Sequence, residues 1–311
     1  MKGLDLAKKY FDEFGMPMLN ERFSDIKHLL AAGLVGSGSE CLGFDDDISH
    51  DHDFEPCFCL FIPEEIDDKT AFALERAYAK LPRSFMGYER SPLTPVGKQR
   101  HGVMKISDFY LQNAGTVDGE LSIDDWFKIP EYALAEAVNG EVFFDQYGMF
   151  TSIRNRLSTM PRDVFLKKLA GDLITMSQSG QYNFYRCCSR GEHGAAQLSI
   201  YEFARSAMHS VFLFNGKYMP YYKWSFRAMR GLERFSELAD PLEYMISTEN
   251  TKENAELKHS MIEDIASLFV LELQDRGLTD GICNDLEKHA YSVNDRISDN
   301  DVRNRNIFFA V

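Results

Sequence analysis

The sequence is short of positive charge: 34 lysines and arginines stand against 48 aspartates and glutamates, a formal net charge of −14 over 311 residues. A duplex-binding protein needs a basic face to neutralise phosphates, so this balance argues against nucleic acid as the main partner and mostly serves solubility. Long apolar runs are missing too. The best stretch, around 265–273, is broken by Glu272 and falls well under the ~20 residues that span a bilayer, so no membrane partner is expected. Six cysteines (Cys41, Cys57, Cys59, Cys187, Cys188, Cys283) include no CxxC pair and no disulfide-framework spacing, the pattern of reduced residues in a cytosolic core. The stretch MKGLDLAKKYFDEF mixes charges of both signs, which argues against a signal or transit peptide and makes the cytoplasm the expected compartment. There is no internal repeat and no long Gly/Ser/Pro linker. With 44% apolar and 26% charged residues, collagen-like and wholly disordered chains are excluded, and the length allows two domains.

Two periodicities divide what is present. Leu4, Ala7, Tyr10, Phe11 and Phe14 predict a helix over 2–14 that stops at Gly15 and Pro17; Leu19, Phe23, Ile26, Leu29 and Leu30 predict another over 19–32. FEPCFCLFI (54–62) reads as a strand, 64–81 as a helix, and HGVMKISDFYL (101–111) as a second strand after a loop holding Pro92, Pro95 and Gly97. From about Arg154 the pattern becomes helical, with helices expected over 161–179, 194–214, 222–236 and 252–276. The expected fold class is therefore α+β: a mixed sheet with flanking helices in residues 1–150, followed by an all-helical domain in 151–311. The polar tail 292–306 is expected to be loosely held.

The chemistry concentrates in VGSGSECLGFDDDISHDHDF, residues 35–54. Gly36, Ser37, Gly38 and Ser39 make a small-residue turn whose backbone N–H groups and hydroxyls can approach an anion, helped by the positive end of any helix that begins just after. Asp51 and Asp53 precede the expected strand at i and i+2, which in a strand share one face. Two such carboxylates suit a hard cation such as Mg²⁺, which keeps substrate phosphates in its shell. Together these parts describe a nucleoside triphosphate clamped between a Gly/Ser turn and a metal-bearing Asp pair.

This stretch resembles the nucleotidyltransferase superfamily of DNA polymerase β and the aminoglycoside and lincosamide nucleotidyltransferases. Val35-Gly36-Ser37, thirteen residues, then Asp51-His52-Asp53-Phe54 fit that signature, and Gly38-Ser39 with eleven residues between fits equally. His52 stands where an apolar residue is usual. The resemblance is closer to an uncharacterised bacterial subgroup labelled as a domain of unknown function, through GSGSECLGFDDDISHDHDF, DWFKIPEYALAEAVNGEVFFD (125–145) and YMPYYKW (218–224).

The resemblance implies a nucleotidyltransferase-like sheet in the N-terminal domain and an acceptor-binding helical domain. It implies transfer of a nucleoside monophosphate, expected to be AMP, from a triphosphate to a hydroxyl, with two Mg²⁺ ions held by Asp51 and Asp53. It also implies a third carboxylate, for which Asp108 is nominated with Glu141 and Asp145 as runners-up; without it the site would bind nucleotide and transfer little. Asp45, Asp46 and Asp47 read as loop carboxylates that shape the field. Lys223, in NGKYMPYYKWSFR with Arg227 and interleaved aromatics, is a candidate triphosphate contact, while Trp224 as core and Lys223 as solvated is the plainer alternative. Arg186 and Arg190 lie four apart on one expected helix face. A zinc site from His50, His52, Cys57 and Cys59 finds no supporting spacing. The acidic surface favours a small cationic acceptor; the rival functions are a non-catalytic nucleotide sensor, or a toxin/antitoxin component modifying a protein or tRNA.

Overall fold

Residues 3–22 run helically in three pieces: an α-helix over Gly3–Tyr10, a π-helical turn over Phe11–Gly15 and an α-helix over Met16–Arg22. Gly15 and Pro17 do not break the run. Gly15 lies where a Cβ would sit 2.6 Å from Phe11 and 2.8 Å from Phe58, and Pro17 falls in the first turn of the next piece, where a missing N–H does no harm. The computed structural model describes residues 1–46, 54–90 and 101–310. Asp47, His50, Asp51, His52 and Asp53, with Pro92, Pro95 and Gly97, lie outside the described residues.

The chain divides into two compact units, Met1–Thr159 and Met160–Val311. In the first, a four-stranded sheet has the order β5-β2-β1-β6, with β1 at Ala31–Leu34, β2 at Cys59–Ile62, β5 at Gly102–Lys105 and β6 at Glu141–Asp145. β1 pairs antiparallel with β2 and with β6, and β2 pairs parallel with β5, so the sheet is mixed. A two-stranded hairpin, β3 (Ser84–Phe85) with β4 (Tyr88–Glu89), stands apart from it.

Three further expectations are corrected here. The strand expected over 54–62 is confined to Cys59–Ile62, with 54–58 leading into it outside the ladder. The helix expected over 19–32 ends at Arg22, and its last residues pass through a 3₁₀ turn (Lys27–Leu29) into β1. β1 is flanked by strands on both sides and buried along its whole length, so its apolar run carries no alternation to mark it as a strand. The strand expected over 101–111 is four residues of β5 followed by a helix over Ile106–Ala114, ended by Gly115 at φ +65°. Ile106, Phe109 and Tyr110 are its buried face at helical spacing. The helix expected over 64–81 spans Asp68–Ala79, with Asp67 capping the Thr70 N–H at 3.0 Å. Tyr10, Phe11, Phe58 and Tyr78 fill the core on one side of the sheet, while Phe61 stacks on Phe150 with centroids 4.2 Å apart.

The second unit is all helical among its described residues. Arg162–Met176 is buried on nearly every side and packs against His193–Phe214 and Leu286–Asn294. It continues through a π-helical segment, Ser177–Phe184, that the period did not foretell. Lys252–Asp275 matches the helix expected there, and Tyr222–Met229 is shorter than expected, ending where Gly231 follows. The tail is tied down rather than loose. The Asp163 carboxylate accepts from the N–H groups of Ser298 (3.1 Å) and Asp299 (2.9 Å), and buried Lys167 donates to Asn294 Oδ1 and to the carbonyls of Arg303 and Arg305. Among the described residues no helix is long and apolar enough to cross a membrane.

Candidate functional site

Register decides which residues meet. Gly33 of β1 pairs with Cys59, the first residue of β2; Cys59 pairs with Gly102, the first of β5; and Leu34 pairs with Glu141, the first of β6. One end of the sheet therefore gathers the 36–39 turn, the segment 54–58 that enters β2, His101, and the Asn139–Gly140 entry to β6. Of the residues expected in the site, the turn and the segment leading into β2 lie at this end.

The turn depends on conformations that only glycine adopts readily: Gly36 has φ +100° and Gly38 φ +130°. It is gripped from the opposite strand entry. The Gly36 N–H donates to Asn139 Oδ1 at 2.8 Å, and Asn139 Nδ2 donates back to the Gly36 carbonyl at 2.7 Å. The Gly140 N–H donates to the Cys41 carbonyl at 3.0 Å, and a Cβ on Gly140 would stand 2.1 Å from the Leu34 oxygen. Arg154 locks this loop in turn, donating through Nε and Nη2 to the Val138 carbonyl (3.1 and 2.7 Å) and through Nη2 to that of Gly140 (3.0 Å). Asn139, Gly140 and Arg154 were missed by sequence reasoning; the only local signal was the Asn-Gly dipeptide, which marks a turn and not its partner.

Within the turn Gly36 is buried and Ser37 exposed, with Gly38 and Ser39 half-buried. No α-helix begins after it. A three-residue 3₁₀ turn, Glu40–Leu42, closes at Gly43 (φ +70°), so no helix end adds its field. Asp45 is buried and serves the fold: its Oδ2 accepts from the Gly3 N–H at 2.9 Å at the start of the first helix, with Lys2 Nζ 3.7 Å from Oδ1.

The three acids considered for the third carboxylate part company. Asp145 caps the helix Met149–Leu157, accepting from the N–H groups of Gly148 and Thr151 at 2.8 Å each, and it pairs with Ala31 at the far end of the sheet. Asp108 is exposed in the first turn of Ile106–Ala114, not in a strand, just past the far ends of β2 and β5. There Lys105 pairs with Glu64 at 2.9 Å, and Ser107 donates to the same carboxylate. Those two hydrogen bonds, Ser107 first, hold Glu64 below the usual carboxylate range. Glu141 lies at the turn's end of the sheet, exposed and 3.3 Å from Lys8 Nζ.

The same end holds a trio that no spacing announced. Glu55, Cys57 and His101 present one donor atom each, all within 4.8 Å of one another, with His101 Nδ1 3.3 Å from Glu55 Oε1. Cys57 is buried, and burial pushes its thiol well up from the ordinary value.

In the second unit, Lys223 is exposed at the start of Tyr222–Met229, its Nζ 5.1 Å from the Trp224 ring centre, with the Arg227 guanidinium 5.9 Å from the same ring. Trp224 is half-buried. Arg186 lies over Tyr182 at 4.5 Å, whereas Arg190 falls beyond the last helical residue, Ser189. Beside the π-helical segment is a cleft of about 680 Å³. Its lining includes Glu263, Asp285, Glu287, Gln181 and Tyr182, and no lysine or arginine among the described residues.

A protein-family model described as "Domain of unknown function (DUF4037)" matches residues 126–225. No curated protein and no solved structure matches the chain.

Proposed function

We propose that this chain is a nucleotidyltransferase that moves a nucleoside monophosphate, AMP in the first instance, from a nucleoside triphosphate to a hydroxyl of a small molecule, releasing pyrophosphate. One observation carries the reading: a two-glycine turn, held from outside by Asn139, stands at the end of the sheet where β2 begins at Cys59, and in the sequence Asp53 precedes Cys59 by six residues. The Gly36 N–H is already committed to Asn139. Phosphate contact therefore falls to the N–H groups of residues 37–39 and the hydroxyls of Ser37 and Ser39. An all-oxygen pair, Asp51 and Asp53, suits Mg²⁺, which when bound would neutralise phosphate charge. Among the acids weighed for the third carboxylate, Glu141 takes the role of accepting the acceptor's proton, because Asp145 is spent on a helix cap and Asp108 belongs to the other end of the sheet.

The acceptor class follows from the second unit. A cleft with three carboxylates and several amides favours a polyhydroxylated amine over an anionic acceptor.

Incubation with labelled triphosphates, Mg²⁺ and a panel of hydroxylated amines is expected to release pyrophosphate, with the release lost in Asp51→Ala and Asp53→Ala. Equal turnover in those variants rejects the assignment. A second reading, a nucleotide sensor without transfer, is favoured by the Lys8–Glu141 ion pair, which occupies the acid assigned the third-carboxylate role. It predicts calorimetric triphosphate binding with no pyrophosphate from any acceptor.

A further inference from the structure

Three unlike side chains converge at the turn's end of the sheet. Glu55 and Cys57 come from the segment entering β2, and His101 immediately precedes β5; the parallel pairing of Cys59 with Gly102 brings them level. Their donor atoms lie within 4.8 Å of one another. The side chains of His101 and Glu55 are only 15% and 10% exposed, and Cys57 is buried, so the convergence is not a solvated surface cluster.

We infer that Glu55, Cys57 and His101 bind a single borderline divalent metal ion, Zn²⁺ foremost, as a three-donor site that uses neither of the ligands expected for Mg²⁺, Asp51 and Asp53. Geometry supports it. Bonds of about 2.0–2.1 Å to nitrogen and oxygen put tetrahedral donors roughly 3.3 Å apart, and His101 Nδ1 and Glu55 Oε1 are already at 3.3 Å. The Cys57 sulfur, within 4.8 Å of both, completes the face by closing to about 3.5 Å from each, given a Zn–S bond of about 2.3 Å. Donor chemistry selects the ion: thiolate and imidazole prefer zinc, while magnesium takes oxygen and keeps its water.

The site also underlies the turn: Cys57 packs with Leu34 and Cys41, and the Cys41 sulfur lies 3.8 Å from the Ser37 carbonyl. A metal there would stiffen the base on which the turn rests. The inference does not depend on nucleotidyl transfer, since it concerns metal content alone.

The test uses the full chain, stripped with chelator and reloaded with Zn²⁺ or Co²⁺ in the presence of excess Mg²⁺. Elemental analysis is expected to find one equivalent of zinc. Co²⁺ is expected to give a thiolate-to-cobalt charge-transfer band and the intense visible bands of a tetrahedral ion. The charge-transfer band should vanish in Cys57→Ser and persist in Cys41→Ser and Cys59→Ser, with circular dichroism verifying the fold of each. Glu55→Gln and His101→Ala should lose stoichiometric binding. Folded wild-type protein that retains no zinc and gives no cobalt band overturns the inference, and so does a band that survives Cys57→Ser.

Discussion

Replacing Asn139 by alanine tests the support of the turn directly. Its side-chain amide both accepts from and donates to Gly36, at 2.8 and 2.7 Å. Each bond contributes about 1 kcal/mol net, and leaving the buried Gly36 N–H without its acceptor adds about another, so Asn139→Ala should cost roughly 2–3 kcal/mol. Asn139→Asp keeps the acceptor for the N–H but turns a carboxylate oxygen toward the Gly36 carbonyl, and it should recover little. Urea unfolding followed by circular dichroism reads this as a lower midpoint at unchanged slope. Triphosphate affinity, measured where the variant remains folded, should fall as well, because the turn would no longer be held in its positive-φ form. A loss under about 0.5 kcal/mol, the range of neutral surface changes, would refute the view that Asn139 holds the turn.

Three further outcomes follow from the structure. Asp45→Ala should destabilise the first unit by about 1–2 kcal/mol, since it removes an anion at a helix start and the partner of the Gly3 N–H; an unchanged denaturation midpoint would contradict this. Gly180→Ala should lower the melting temperature through overpacking worth about 1–3 kcal/mol, because the new Cβ would stand 2.3 Å from the ring of fully buried Phe203. Burial raises Tyr10 to about 12 against the opposing pull of Arg90, and it raises Tyr78 and Tyr110 as well. The folded chain thus keeps protons that the unfolded chain releases above about 10, so stability should fall as pH rises beyond that point. In an ultraviolet titration these three should stay protonated after exposed tyrosines have ionised; uniform ionisation in still-folded protein would refute it.

Much of the helical unit was legible because its helices expose one face and bury another, which writes a 3.6-residue period into the chain: Lys252–Asp275 and His193–Phe214 lie within a residue or so of their expected bounds. The central strand was not legible. Ala31–Leu34 is covered on both faces and flanked on both edges, so nothing alternates along it. The switch from β5 to helix inside 101–111 was hidden for a related reason: four strand residues are too few to set a period before Ile106, Phe109 and Tyr110 begin another.

Local composition was enough to mark the Gly/Ser turn and to say that glycine was needed there, since positive φ is a property of one residue and its own backbone. Which partners hold that turn, which acid shares its end of the sheet, and which histidine stands beside Cys57 are questions of register between segments distant in sequence, Gly36 and Asn139 being 103 residues apart. Hydrogen bonding across strands settles register, and no short stretch of sequence encodes it. Asn139 and His101 therefore gained their places only when the sheet closed.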